Sequence, residues 1–217
     1  MELFINQLLS SAATILVMLL LPLIWWLVTA RKGQNFFLWI GLKRIQTEKK
    51  ATLLLWFFGA AAAFGLTSLL LPRLTRGTGA VLATARFSGL GWSALPAVSV
   101  YAVLSTAFWE ECLFRGFLLK RLAHRFGFPV GNIVQAVVFG LMHGVMFFAA
   151  VGVLRAILVT LLTGTIGWGL GNLNEKQAGG SIFLSWAIHA LSNLIAECTR
   201  RLWYCECEGH QLHIMHK

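Results

Sequence analysis

"FWEECLFRGFLLKRLAHR", residues 108–125, places two adjacent acids and an arginine in an apolar run and closes that run with a basic cluster. The rest of the chain is built the same way. Its 217 residues are 58% hydrophobic and 12% charged, against the ~25% charge of a soluble domain. The charges are also bunched. None lies between Glu2 and Arg31, Lys50 and Arg73, Arg86 and Glu110, Arg125 and Arg155, Arg155 and Glu175, or Lys176 and Glu197. Each gap suffices for a spanning helix, which needs about 20 residues. The pattern predicts an all-α polytopic transmembrane helical bundle of about six spans, near 5–28, 51–71, 96–119, 130–150, 155–173 and 181–198.

The formal charge of +10 does not point to nucleic acid, because no soluble basic domain is present to bind it. Arg31, Lys32, Lys43, Arg44, Lys49 and Lys50 lie between two apolar runs, and "KRLAHRFG" (120–127) follows the third. Basic loops of this kind are cytoplasmic and face anionic headgroups. The opening "MELFINQ" carries an acid and no base, so the first run reads as a signal anchor with its N-terminus outside, not as a cleaved signal peptide. Pro72, Pro96 and Pro129 stand at run boundaries. Residues 1–95 read as two spans and an outer loop, 96–198 as the core that carries the chemistry, and 199–217 as a tail. Alternation puts 120–129 inside and 73–95 outside.

Gly140 with Gly144, and Gly167 with Gly171, have the spacing that lets helices approach closely in lipid. Most tryptophans, such as Trp25, Trp26, Trp56 and Trp168, lie near run ends, as an aromatic belt requires. The cysteines form no disulfide framework. Cys198, Cys205 and Cys207 cluster with His210, His213 and His216 in a tail whose spacing matches no zinc pattern, and which reads as disordered.

Few groups inside the spans can move protons: Glu110, Glu111, Arg115, His143 and His189, with Asn193 beside them. Ionisable groups in a membrane face the bundle interior and mark function by default. Glu111 and Arg115 are four apart with the acid first, the favourable order for an ion pair. His189 and Asn193 share one helix face by the same spacing, and Phe139 lies one turn from His143. Counted from the basic ends of their helices, Glu110 lies roughly 15 Å deep, His143 roughly 21 Å and His189 roughly 12 Å, at 1.5 Å per residue. Acid, imidazole and amide therefore meet at similar levels and make a site. A carboxylate beside an imidazole can take a proton from water and return it to a leaving amine. A second imidazole with a carboxamide can hold a developing oxyanion. No Ser-His-Asp or Cys-His arrangement competes, and the set suits water-mediated amide hydrolysis.

"EECLFR" (110–115), "FGLMH" (139–143) and "HALSN" (189–193) resemble, in order, the E-E-x-x-x-R, F-x-x-x-H and H-x-x-x-N motifs of the CPBP family. These are the CAAX-protease and bacteriocin-processing intramembrane proteases, related to prenyl-protein endoproteases. The resemblance covers about 105–197. It implies an all-helical bundle whose site is reached from the cytoplasm, with Glu110 and His143 activating water, His189 and Asn193 holding the oxyanion, and Glu111 and Arg115 as the supporting pair. Two imidazoles and a carboxylate are also an acceptable catalytic zinc set. The reading is nevertheless of no cofactor, since no H-E-x-x-H spacing is present; zinc on Glu110, His143 and His189 is the alternative. The expected partner is a membrane-associated peptide or protein, and the expected location a bacterial cytoplasmic membrane. A competing reading within the family is a non-catalytic binder, such as a bacteriocin-immunity or sensor-scaffold factor. A transporter would spread its acids over the membrane's depth.

Overall fold

A computed structural model describes residues 1–75, 77–78, 87 and 90–215, with side chains described as far as Thr199. All regular structure among the described residues is helical: α1 (Glu2–Thr29), α2 (Phe36–Ile40), α3 (Lys50–Leu74), α4 (Leu95–Val100), α5 (Lys120–Phe126), α6 (Phe128–Val151), α7 (Val153–Asn172) and α8 (Phe183–Met215). α4 runs into α5 through the helical stretch that carries "EECLFR", giving one rod from Trp92 to Phe126. Five helical units are long and apolar enough to cross a membrane: Glu2–Thr29, Lys50–Leu74, Trp92–Phe126, Phe128–Val151 and Val153–Gln177. The residues expected as the sixth span, 181–198, fall at the start of α8, which is not among these five. That helix continues to Met215, so the tail expected to be disordered is helical as far as that residue. The cysteine and histidine side chains of 205–216 lie outside the described residues.

Prolines act as the run boundaries required. Pro96 and Pro129 open α4 and α6 in their first turns, where no N–H is missed. Pro72 sits in the last turn of α3.

α6 and α7 make the closest pair. A Cβ on Gly140 would strike the carbonyl of Thr160 and crowd the backbone of Gly164. Polar side chains then stitch the two helices together. Gln135 Nε2 donates to the Gly167 carbonyl at 2.9 Å, and Asn132 Nδ2 to the Trp168 carbonyl at 3.0 Å. α1, by contrast, turns Leu16, Val17, Leu20, Leu21 and Ile24 outward, as a lipid-facing helix does. It is tied to the rod by polar groups: Gln7 Nε2 donates to Ser105 Oγ at 2.9 Å, and the Ser11 and Ser105 hydroxyls are 2.6 Å apart.

The basic segment 31–50 is more than the short loop its charges suggest. Asn35 Oδ1 accepts the Phe37 N–H at 2.9 Å and so starts α2. α2 buries Trp39 and Ile40 against Phe117, Cys112 and Ile182. The Ile182 N–H donates to the Gly41 carbonyl at 3.0 Å, and Lys120 bridges the Glu175 carboxylate and the Gly180 carbonyl. This closes the basic end of the bundle. Gly116 permits the closure, because a Cβ there would run into the Ile40 carbonyl. Gly116→Val is therefore expected to destabilise the protein by about 1–3 kcal/mol, the range for overpacking a filled site. Thermal unfolding in detergent reads this; an unchanged midpoint would mean that α2 is not docked as described.

Candidate active site

The rod Trp92–Phe126 widens from α-helical to π-helical hydrogen bonding over Tyr101–Phe108 and again over Glu111–Leu119, leaving Trp109 and Glu110 between the two stretches. Such wide turns are rare and recur at functional sites. No proline causes this one, and nothing in the sequence announced it. Polar groups nonetheless hold the rod in place. Trp109 Nε1 donates to the Ser105 carbonyl at 2.7 Å, and Trp186 Nε1, from α8, to the Val103 carbonyl at 2.9 Å.

Glu111 and Arg115 are both fully buried, with Arg115 Nη1 3.1 Å from Glu111 Oε1. The same carboxylate oxygen accepts from His189 Nδ1 at 3.0 Å. Ser185, one turn before His189, donates to the Ile182 carbonyl at 3.0 Å and receives a hydrogen bond from Asn174 Nδ2 at 2.7 Å. The Arg115 guanidinium lies over the Phe139 ring, 4.1 Å from its centroid, which adds a cation–π contact where water is excluded. The expected ion pair is thus one segment of a longer chain: Arg115, Glu111, His189. A carboxylate only accepts, so Nδ1 of His189 carries the proton of that bond and Nε2 is left to face Glu110, whose Oε2 is 3.8 Å away.

On α6, His143 Nδ1 is 2.9 Å from the Phe139 carbonyl. A carbonyl has no proton to give, so Nδ1–H is the donor and Nε2 keeps its lone pair. The Phe139 ring packs against this imidazole at a tilt of 54°, 4.6 Å between centroids, and meets the His189 ring edge-on at 6.5 Å. Phe64 closes on His189 from α3 at 4.9 Å.

Glu110, His143, His189 and Asn193 all line one cavity of ≈ 170 Å³. Glu110 is buried, and its Oε2 has no hydrogen-bond partner among the described residues. Asn193 Nδ2 donates one of its protons to Thr106 Oγ1 at 2.9 Å. All six expected residues are therefore brought together, four on the cavity wall and Glu111 with Arg115 behind it. Thr106 and Ser185 were not singled out from sequence. Each stands four residues before a motif residue, Glu110 and His189, so extending the motifs by one helical turn would have found both.

The direction of the cavity departs from expectation. Its wall includes Leu71 and Pro72 at the end of α3, Tyr101 at the start of the rod, Met146 and Phe147 late in α6, and Ala196 in α8. Those positions lie toward the end of the bundle opposite the basic loops. Toward the basic end the interior is filled by Arg115, Gln135, Leu119, Leu173, Asn174 and Ile182, none with measurable exposure. Basic loops in the cytoplasm and a site reached from the cytoplasm cannot both follow from one cavity placed this way.

The two Nε2 atoms and the Glu110 carboxylate are suitable donor types for zinc. Among the described residues, however, no three Asp, Glu, His or Cys side chains are gathered into a group that could hold a metal ion.

Residues 91–195 match the model of the Rce1-like family, the type II CAAX prenyl endopeptidases. The matched stretch is just under half of the chain, and over it the chain is similar to that family. The match begins with the rod, ends just past Asn193 and spans all three motifs. It supports CAAX-type endopeptidase activity in an integral membrane protein. No curated protein and no solved structure matches the chain.

Removing one partner of a buried ion pair costs roughly 3–5 kcal/mol, because the other charge is left without compensation. Arg115→Ala is accordingly expected to lower folded yield as well as activity. Size-exclusion profile and thermal midpoint after purification measure it, and a variant as stable as the parent would show that the pair does not support the fold.

Proposed function

We propose that the chain is an intramembrane endopeptidase that hydrolyses a peptide bond of a membrane-associated protein or peptide with water activated by Glu110 and His143. The observation that carries the reading is the convergence of Glu110, His143, His189 and Asn193 on one cavity, with a Glu110 oxygen and the His143 Nε2 uncommitted. Water held between them gives its proton to this pair as its oxygen attacks the scissile carbonyl carbon. The carbonyl oxygen takes up the negative charge. His189 donates to it from Nε2 when that nitrogen takes up a proton, and Asn193 donates its second Nδ2 proton. Such pre-aimed donors in a dry site are the largest single term in many acyl transfers. Collapse of the intermediate breaks the C–N bond, and the amine leaves with the proton first taken from water.

Phe64, Leu71, Met146, Phe147 and Ile166 make the remaining wall largely apolar. That suits a substrate segment already in the bilayer. The basic loops place the closed end in the cytoplasm by charge bias, so the cavity meets its substrate in the opposite half of the membrane. Cysteine introduced at Gly33 is then shielded from impermeant thiol reagents in intact cells, and cysteine at Gly77 is labelled, in a background lacking the native cysteines. The reverse pattern turns the protein over and gives the cavity to the cytoplasmic half.

Glu110→Gln keeps the side chain's volume and removes the proton acceptor. Cleavage of membrane-bound peptides by purified protein is expected to fall by roughly 10²–10⁴-fold, and Asn193→Ala should cost roughly 10²–10³-fold. A chelator is expected to leave the parent's activity intact. Full biological function in Glu110→Gln would identify a binding protein instead, and loss of bound zinc together with activity would establish a metalloprotease.

A further inference from the structure

A second cavity, of ≈ 910 Å³, lies at the basic end of the bundle, away from Glu110 and His143. Its wall is the last turn of α1 with the turn that follows it, plus Trp39, Arg121 and His124. Arg31, Lys32 and Arg121 bring three fixed cations to it, His124 adds a titratable group, and no acidic side chain lines it. The Glu175 carboxylate pairs directly with Lys120, and its charge also reaches Arg121 without bonding to it.

The cavity is also built, not merely lined with charge. Trp26 Nε1 donates to the Gln34 carbonyl at 2.8 Å and folds the turn back onto α1. The N–H groups of Ala30 and Arg31 both donate to the Trp26 carbonyl, at 2.8 and 2.9 Å, so that this oxygen at the end of α1 is covered. The Arg121 guanidinium carbon lies over the Trp39 ring, 4.1 Å from its centroid, and the buried Nε has no hydrogen-bond partner among the described residues. Trp39 is itself locked in the core against Phe117 and Phe36. An arginine held on a rigid ring loses little freedom when an anion binds, and its planar fork suits phosphate oxygens.

We infer that this cavity binds the phosphate of an anionic phospholipid. The shared chemistry is a phosphate anion on Arg121, Arg31 and Lys32. The lipid is favoured over free phosphate because Leu27 and Val28 form part of the wall, and Val28 is 80% exposed. They continue the outward-facing apolar surface of Leu20, Leu21 and Ile24 on α1, along which an acyl chain can lie. Basic pockets at the ends of membrane helices are suited to anionic headgroups in this manner. The position of the site next to α2, which closes the basic end beneath Gly116, gives a bound lipid a hold on that closure.

The test uses the full chain purified in detergent, with native mass spectrometry and thermal unfolding as readouts. Phosphatidylglycerol, phosphatidylcholine and inorganic phosphate are the probes. The parent is expected to retain one phosphatidylglycerol in preference to phosphatidylcholine and to unfold at higher temperature with it. Arg121→Gln should weaken that retention at least about tenfold, the effect of 1.4 kcal/mol in a binding constant. Lys32 is exposed, so Lys32→Gln keeps the proposal testable if Arg121→Gln folds poorly; it should weaken retention as well. Equal retention of both lipids, or retention unchanged in Lys32→Gln, would overturn the proposal. Displacement of the lipid by millimolar inorganic phosphate would reduce the site to a simple anion site and overturn the lipid assignment.

Discussion

A carboxylate and a guanidinium without solvent exposure, Glu111 and Arg115, set the terms for everything around them. Taking two ions out of water is costly, and their attraction repays it only where geometry is good and the remaining polar atoms are partnered. Glu111 Oε1 meets part of that demand with Arg115 and His189, drawn from two helices, while Glu111 Oε2 and the Arg115 guanidinium nitrogens have no hydrogen-bond partner among the described residues. The rod and α8 must therefore sit in one register, and Trp186 on Val103 holds the same register a turn away. An imidazole fixed in this way at Nδ1 presents Nε2 to the cavity in one orientation. Stability and chemistry are thus tied to one carboxylate.

Around that pair the bundle divides by depth. The basic half is close-packed and bound by polar stitches: Asn132 and Gln135 between α6 and α7, Asn174 and Ser185 between the turn after α7 and α8, and Lys120 at its end. The other half keeps the cavity. A hydrolase within lipid needs this asymmetry, since water must be held near one group of side chains and kept from the rest of the interior. α1 contributes little to the core and is attached through Gln7, Ser11 and Ser105, an economical way to fix an otherwise lipid-facing helix.

Much of this was legible in the chain. Charge-free gaps gave the spans, and the i,i+4 rule put Glu111 with Arg115 and His189 with Asn193 on common faces. Gly140 was readable as a contact because only a residue without a Cβ lets α6 and α7 approach so closely. Other features escaped for physical reasons. Counting residues gives a group's height along a helix but not which half of the bundle is filled, so the direction of the cavity could not be read. The filling comes from Asn132, Gln135 and Asn174, polar residues that pattern arguments pass over. α2 was hidden because five apolar residues inside a charged segment carry no period. The hydrogen bond from His189 to Glu111 joins residues 78 positions apart and has no local signature.

The central claim is that Glu110 and His143 act as one device on a single water. A double-mutant cycle on cleavage rate tests it most directly, because groups that act as a unit give losses that do not add. The account predicts that Glu110→Gln with His143→Ala is about as slow as the worse single variant. Losses that multiply would mean that the two residues work independently and would contradict it.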